Sequence, residues 1–218
     1  MVWNFSFTVA DATRARHGEN IIDWELDGIE HLEAISDSGA ILLTAHMGNY
    51  DVAAPLFAQK LSRPFNAVRA PERHAETQAW MEEQLATQGN DHYHIRYNKN
   101  DRLLGLELAQ SIGRGEVVAI QGDRVSDDTY RFRLPKGPFV LAQVTGAPIH
   151  PVFILRTGWR RYRIKALPAF HCKAQARDRE AGVEIAARHW VDDVLLPVVR
   201  EHWTQWFVFE SAFEKTEA

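Results

Sequence analysis

Short, continuously apolar runs alternate along this chain with longer amphipathic stretches, and that alternation limits the fold more than any other feature. Ala40-Ile41-Leu42-Leu43-Thr44-Ala45 reads as a buried strand that stops at His46-Met47-Gly48-Asn49. Tyr50 to Leu61 reads as a helix, Phe65 to Arg69 as a second strand and Glu72 to Gln88 as a second helix. His92 to Tyr97 alternates like a strand. Asp101 to Ile112 reads as a helix capped by Asp101 and stopped near Gly113 and Gly115. Glu116 to Ile120 is a further strand, and Pro138 to Val144 a short helix. Ile149 to Leu155 and Tyr162 to Leu167 are the last two strands, a hairpin turned near Gly158, and a long helix from Arg179 to His202 is interrupted at Pro197. Strands alternating with helices of about 10–15 residues predict an α/β fold, a central and largely parallel mixed sheet flanked by helices. No repeat, low-complexity tract or linker divides residues 1–218, so a single domain is expected.

Composition narrows the function. The chain carries 25 basic and 29 acidic residues, a net charge of -4, and no basic stripe interleaved with aromatics, which argues against nucleic acid as a partner. The single cysteine, Cys172, can form no internal disulfide and no zinc site by itself. His92 and His94 share a strand face, but no third ligand is spaced to join them, so no metal is expected. No apolar run approaches the roughly 18–20 residues of a membrane span.

In parallel α/β sheets ligands gather at the carboxyl ends of the strands. Three expected strands end in polar or glycine-containing turns: His46 to Asp51, Arg69 to Arg73 and Gln121 to Arg124. His46 and Asp51 form a His-x-x-x-x-Asp pair. A carboxylate beside the imidazole fixes its tautomer and stabilises the imidazolium, leaving the other ring nitrogen to deprotonate a hydroxyl. Ten histidines among 29 acids predict about one such spacing by chance, so its weight comes from the strand before it and Gly48 inside the turn. Arg69 and Arg124 end strands on the same presumed face and offer planar forks to phosphate. Asp123 either orients Arg124 or is a turn residue, and Lys136 is a weaker basic candidate in its loop.

The segments together resemble the glycerolipid and lipid A acyltransferase superfamily. The similarity is closer to the bacterial lipid A late acyltransferases of lauroyl/myristoyl type and their phosphatidylinositol mannoside acyltransferase relatives. His46-Met47-Gly48-Asn49-Tyr50-Asp51 is similar to their His-x-Gly-Asn-Trp-Glu/Asp box, with Tyr50 in place of Trp. Phe132-Arg133-Leu134-Pro135-Lys136-Gly137-Pro138, Thr145-Gly146-Ala147-Pro148 and the tail Gln205-Trp206-Phe207 are similar to later family segments. Gln121 stands where the glycerolipid branch has glutamate.

The resemblance implies a glycerol-3-phosphate acyltransferase-like fold and transfer of a fatty acyl group to a hydroxyl of a lipid or glycolipid acceptor, lipid A precursor-like. The thioester donor, on acyl carrier protein or coenzyme A, is then a co-substrate, and no cofactor is needed. It also implies His46 as base, Asp51 as its orienter, and the Gly48–Asn49 turn at the helix N-terminus as the oxyanion holder. Asn49, Arg69, Asp123, Arg124 and Lys136 are the expected substrate-binding residues. Acyl carrier protein and a membrane surface are the expected partners, at the cytoplasmic face of the bacterial inner membrane. The family's usual N-terminal anchoring helix is not recognisable, so peripheral attachment is expected. It would use Trp3, Phe5 and Phe7 or else Trp203 and Trp206, and attraction to anionic lipid would need a basic patch, for which Arg156, Arg160, Arg161 and Arg163 are the densest candidates. The competing readings are a thioesterase or lipid hydrolase, in which His46 activates water, and an inert lipid-binding module, which has no need of a base.

Overall fold

The computed structural model describes residues 1–19, 22–35, 38–72, 74–86, 91–99, 102–123, 136–172 and 179–208. Among these, seven strands form one sheet in the order β1-β7-β6-β2-β5-β3-β4. They are β1 (Asp23–Asp27), β2 (Ala40–Thr44), β3 (Phe65–Arg69), β4 (Tyr93–Tyr97), β5 (Val117–Gln121), β6 (Ile149–Gly158) and β7 (Arg161–Ala166). The five strands from β6 to β4 run parallel, whereas β7 pairs antiparallel with β6 and carries β1 parallel to itself. The expected α/β fold with a largely parallel mixed sheet is what forms.

Both faces of the sheet are covered, which is why its central strands read as unbroken apolar runs. Successive side chains point to opposite faces. Ile41 and Leu43 therefore enter one core with Leu108, Ile112, Phe139 and Trp190, while Ala40 and Leu42 enter the other with Ala53, Ala58 and Ile154. The first core is roofed by α5 (Arg102–Gly113), α6 (Gly137–Thr145) and α7 (Arg179–His189), the second by α3 (Tyr50–Leu61). Each Leu or Ile so buried contributes about 1.5–3 kcal/mol. The chain thus leaves β2 toward one face, by α3, and reaches α6 on the other face after β5. Between these neighbouring strands lies a switch point of the kind that opens a crevice at the strand ends.

Three elements depart from expectation. The long C-terminal helix is three pieces: α7, a π-helical segment over Trp190–Leu195, and α8 (Leu196–His202). Pro197 supplies no N–H and its ring excludes the carbonyl four residues back, so the helix widens just ahead of it. The widened turn buries Trp190, whose ring stacks on Phe153 at 5.7 Å and whose Nε1–H donates to the Gly122 carbonyl at 2.9 Å.

Helix α1 (Val2–Arg16) and strand β1 carry little local signal. The first half of α1 is rich in aromatic and β-branched residues, which are weak helix formers. It is held from outside: Asn49 Nδ2 donates to the Thr8 carbonyl, Tyr162 Oη to Asp11 and Asn4 Nδ2 to Thr204. Strand β1, Asp-Trp-Glu-Leu-Asp, is an acidic edge whose Asp23 and Glu25 pair with Arg161 and Arg163 on β7. Helices α2 (Ile29–Glu33) and α4 (Ala75–Ala86) complete the fold. The expected Asp101 cap lies outside the described residues.

Candidate active site

Strands β2 and β5 are paired in register, with Thr44 opposite Gln121. Two residues beyond each end stand His46 and Asp123, and the same register brings them together. Asp123 Oδ1 lies 2.6 Å from His46 Nδ1, while its Oδ2 accepts the His46 backbone N–H at 2.7 Å and Trp206 Nε1–H at 2.8 Å. Asp123 is 1% exposed and His46 6%. A buried carboxylate is tolerable when its lone pairs are met by donors, and three donors meet this one. With Nδ1 committed to Asp123, Nε2 is the nitrogen left for chemistry.

The turn that delivers His46 depends on Gly48. Its φ is +54°, and a Cβ there would stand 2.1 Å from the Ile154 carbonyl oxygen, so no other residue fits. Gly122 is similarly confined, since a Cβ would meet Leu43 Cδ1 at 2.8 Å and Trp190 Nε1 at 3.2 Å.

The expectation that Asp51 orients His46 is corrected by this geometry. Asp51 sits in the first turn of α3 and its Oδ1 accepts from Arg69 Nη1 at 2.5 Å, while the imidazole is given to Asp123. The local five-residue spacing loses to the β2–β5 register. Burial works to lower the Arg69 pKa, but the Asp51 carboxylate, aided by Tyr50 and Tyr93, outweighs it and holds the guanidinium above its ordinary range. Asp123, expected either to orient Arg124 or to be a turn residue, is bonded to His46.

The other expected site residues divide. Asn49 is buried in the cleft wall, with Nδ2 donated to Thr8 on α1. Lys136 is exposed at the start of α6, near Glu180 and Glu184, and is not among the residues lining the cleft. Arg124 lies outside the described residues. Trp206, expected among the exposed aromatics, is only 7% exposed. Arg161 and Arg163 are paired with β1 acids, so half of the expected basic patch is neutralised locally. Among the described residues, no group of three or more His, Cys, Asp or Glu side chains is placed to hold a metal ion.

Two neighbouring spaces lie at the site. A cleft is walled by α1 (Phe5, Thr8, Val9), the His46–Asp51 turn, Arg69 and Trp80. A narrower slot runs beneath α3, between it and the sheet, and shares Tyr50, Asp51 and Arg69 with the cleft. The slot is narrow, with a cavity volume of about 60 Å³. Its walls are nearly all apolar, and small residues (Ala53, Ala54, Ala67, Ala119) leave the room. Arg69 ends β3 and Phe65 begins it, so the slot descends about 13 Å, the rise of four strand residues, to Phe57, Phe65 and Tyr93.

A buried His–carboxylate pair stands at the carboxyl edge of a mostly parallel sheet, where His46 lines a cleft that shares Tyr50, Asp51 and Arg69 with an apolar slot. Residues 5–215 match the bacterial lipid A biosynthesis acyltransferase family, and the chain belongs to that family of acyltransferases. Among solved structures it is similar to the 1-acyl-sn-glycerophosphate acyltransferase PlsC from Thermotoga maritima. The TM-score is 0.46 at 15% identity, covering 86% of this chain and 78% of that one. No curated protein sequence matches the chain.

Proposed function

We propose that the protein transfers a fatty acyl group from a thioester, on acyl carrier protein or coenzyme A, to a hydroxyl of a lipid or glycolipid acceptor, with His46 as general base and Asp123 as the carboxylate that orients it. The observation that carries this reading is the His46–Asp123 pair beside the mouth of an apolar slot. Nε2 of His46 takes the proton of the acceptor hydroxyl as its oxygen attacks the thioester carbonyl. Asp123 stabilises the imidazolium and keeps the ring in the useful tautomer. The tetrahedral oxyanion develops beside the N-terminus of α3, whose partial positive charge favours it. Collapse expels the thiolate, which takes the proton back from the imidazolium. No covalent enzyme intermediate is needed.

The slot receives the acyl chain, and the cleft receives the acceptor and the carrier's phosphate arm. Arg69 is the cation placed between the two spaces. One of its nitrogens is engaged by Asp51, and its remaining donors suit a phosphate oxygen.

The reading extends to a membrane surface. No helix among the described residues is long and apolar enough to cross a membrane. Trp3, Trp159 and Trp203 are 79%, 64% and 60% exposed, and Phe7 links Trp3 and Trp159 by ring contacts. Arg156 lies over the Phe7 ring and Arg160 over Trp159. Aromatics backed by arginine suit the headgroup region, and α1, which carries Trp3 and Phe7, walls the cleft with Phe5, Thr8 and Val9. The cytoplasmic face of the inner membrane is where thioester donors are found, and it is the proposed location.

Incubating the purified protein with acyl carrier protein and coenzyme A thioesters, with and without extracted membrane lipid, tests the reading. Mass gain of one acyl group on a lipid supports it. Free fatty acid released at the same rate without acceptor selects the hydrolase instead.

A further inference from the structure

The tail motif Gln205-Trp206-Phe207 has no part in the chemistry just described, yet each of its residues grips a different piece of the site. Gln205 lies flat against β6: its Oε1 accepts the Arg156 N–H at 2.6 Å and its Nε2 donates to the Arg156 carbonyl at 2.9 Å. Phe207 donates its backbone N–H to the His46 carbonyl at 2.8 Å, and Trp206 forms a bridge with Met47. Between them, Trp206 Nε1–H reaches Asp123 Oδ2 at 2.8 Å, the oxygen that also accepts the His46 backbone N–H.

We infer that Trp206 is a positioning residue for the acyl-transfer reaction: its indole N–H holds the Asp123 carboxylate in the rotamer that presents Oδ1 to His46. This rests on the reading of His46 and Asp123 given above. The carboxylate stands two residues past the end of β5, after Gly122, and its χ angles are not fixed by helix or strand. Two N–H groups on Oδ2 at 2.7 and 2.8 Å leave Oδ1 aimed at Nδ1. One of those donors belongs to the His46 turn itself and moves with it. Trp206 is the independent one, anchored through Gln205 to β6 and through its ring to the main core. Charge-assisted bonds of this kind are about twice as strong as neutral ones.

Trp206→Phe keeps a buried aromatic ring but removes the N–H together with part of the indole, and the double variant with Asp123→Asn separates positioning from packing. Transfer of a lauroyl group from lauroyl-coenzyme A to extracted membrane lipid is measured for the wild type, Trp206→Phe, Asp123→Asn and the double variant, alongside the proton spectrum of each. The expected result for Trp206→Phe is a kcat lowered about tenfold with KM unchanged. In the Asp123→Asn background the same change lowers kcat less than twofold, because the carboxylate it acts through is gone. The Trp206 indole N–H resonance of the wild type shifts upfield in Asp123→Asn, and the His46 Nδ1–H resonance broadens or shifts in Trp206→Phe. Equal losses in both backgrounds, or wild-type kcat in Trp206→Phe, overturn the inference. So does an indole resonance indifferent to Asp123→Asn. The resonances need no turnover: if they respond as expected while the wild type transfers nothing, the clamp stands and the acyl-transfer reading fails.

Discussion

Nδ1 of His46 lies 2.6 Å from Oδ1 of Asp123, a residue 77 positions further along the chain. Asp51, five positions from His46, instead holds Arg69 at 2.5 Å. The two carboxylates therefore have different work, and their amide variants should fail differently. Asp123→Asn should lower kcat by about 10²–10⁴-fold, since an amide neither stabilises the imidazolium nor selects its tautomer. Asp51→Asn should raise KM while leaving kcat within a few fold, because it loosens Arg69 and spares the base. Steady-state kinetics of the two variants decide between the assignments. A larger kcat loss in Asp51→Asn would return the orienting role to that residue.

The slot beneath α3 should measure acyl length. Phe57 stacks on Phe65 at 6.2 Å, and the two close its lower end with Tyr93. Phe57→Ala should shift preference toward longer chains, and Ala54→Phe, placed in the slot wall, toward shorter ones. A methylene in an apolar pocket discriminates by about 10–200-fold, so mass spectrometry of products from mixed donors should read the change easily. Unaltered product distributions in both variants would remove the acyl chain from this slot.

Much of this fold is legible in the sequence because strands such as β2 and β5 are short apolar runs closed by polar turns, β4 and β7 alternate, and the helix Tyr50–Leu61 and strand Phe65–Arg69 begin and end where the pattern says. The elements that escape it are held by partners distant in the chain. Strand β1 is an acidic pentapeptide, stabilised by arginines on β7, and α1 is fastened by Asn49, Tyr162 and Thr204. His46, the proposed base, is legible in the sequence, but its carboxylate partner is not. A spacing of five residues is visible in a sequence, whereas the in-register pairing of β2 with β5 is not. The signal that identifies Asp123 is that His46 and Asp123 each stand two residues past paired strand ends, and it can be read only once strand order is known.

Acidification should weaken the fold through His150. Burial holds its pKa below the ordinary histidine value, and the charges of His171 and His31 add to this. The unfolded chain titrates near 6.5 and binds a proton that folded His150 resists. Stability should thus be full above that pH and fall as pH drops through and below it. His150→Leu should flatten the dependence of thermal midpoint on pH between about 7 and 5. An unchanged slope would assign the acid sensitivity to other groups.

Membrane attachment should depend on aromatics more than on charge. Arg161 and Arg163 are paired with acids, and the chain carries -4 overall. Wild-type protein should float with vesicles of neutral and of anionic lipid to within a few fold. The triple change of Trp3, Trp159 and Trp203 to Ser should abolish flotation on both. Binding confined to anionic vesicles would instead place the contact on unpaired basic residues.

The central claim is that His46 removes a proton from an acceptor hydroxyl during acyl transfer. Its most direct test is the rate at which folded His46→Ala protein adds one acyl group to membrane lipid, followed by mass spectrometry against the wild type. His46 sits in a turn whose shape is set by Gly48 and by backbone bonds to Phe207, so the variant should keep its circular dichroism and thermal midpoint nearly intact. Its transfer rate should fall by about 10²–10⁴-fold. Near-normal transfer by a folded His46→Ala protein would contradict the account.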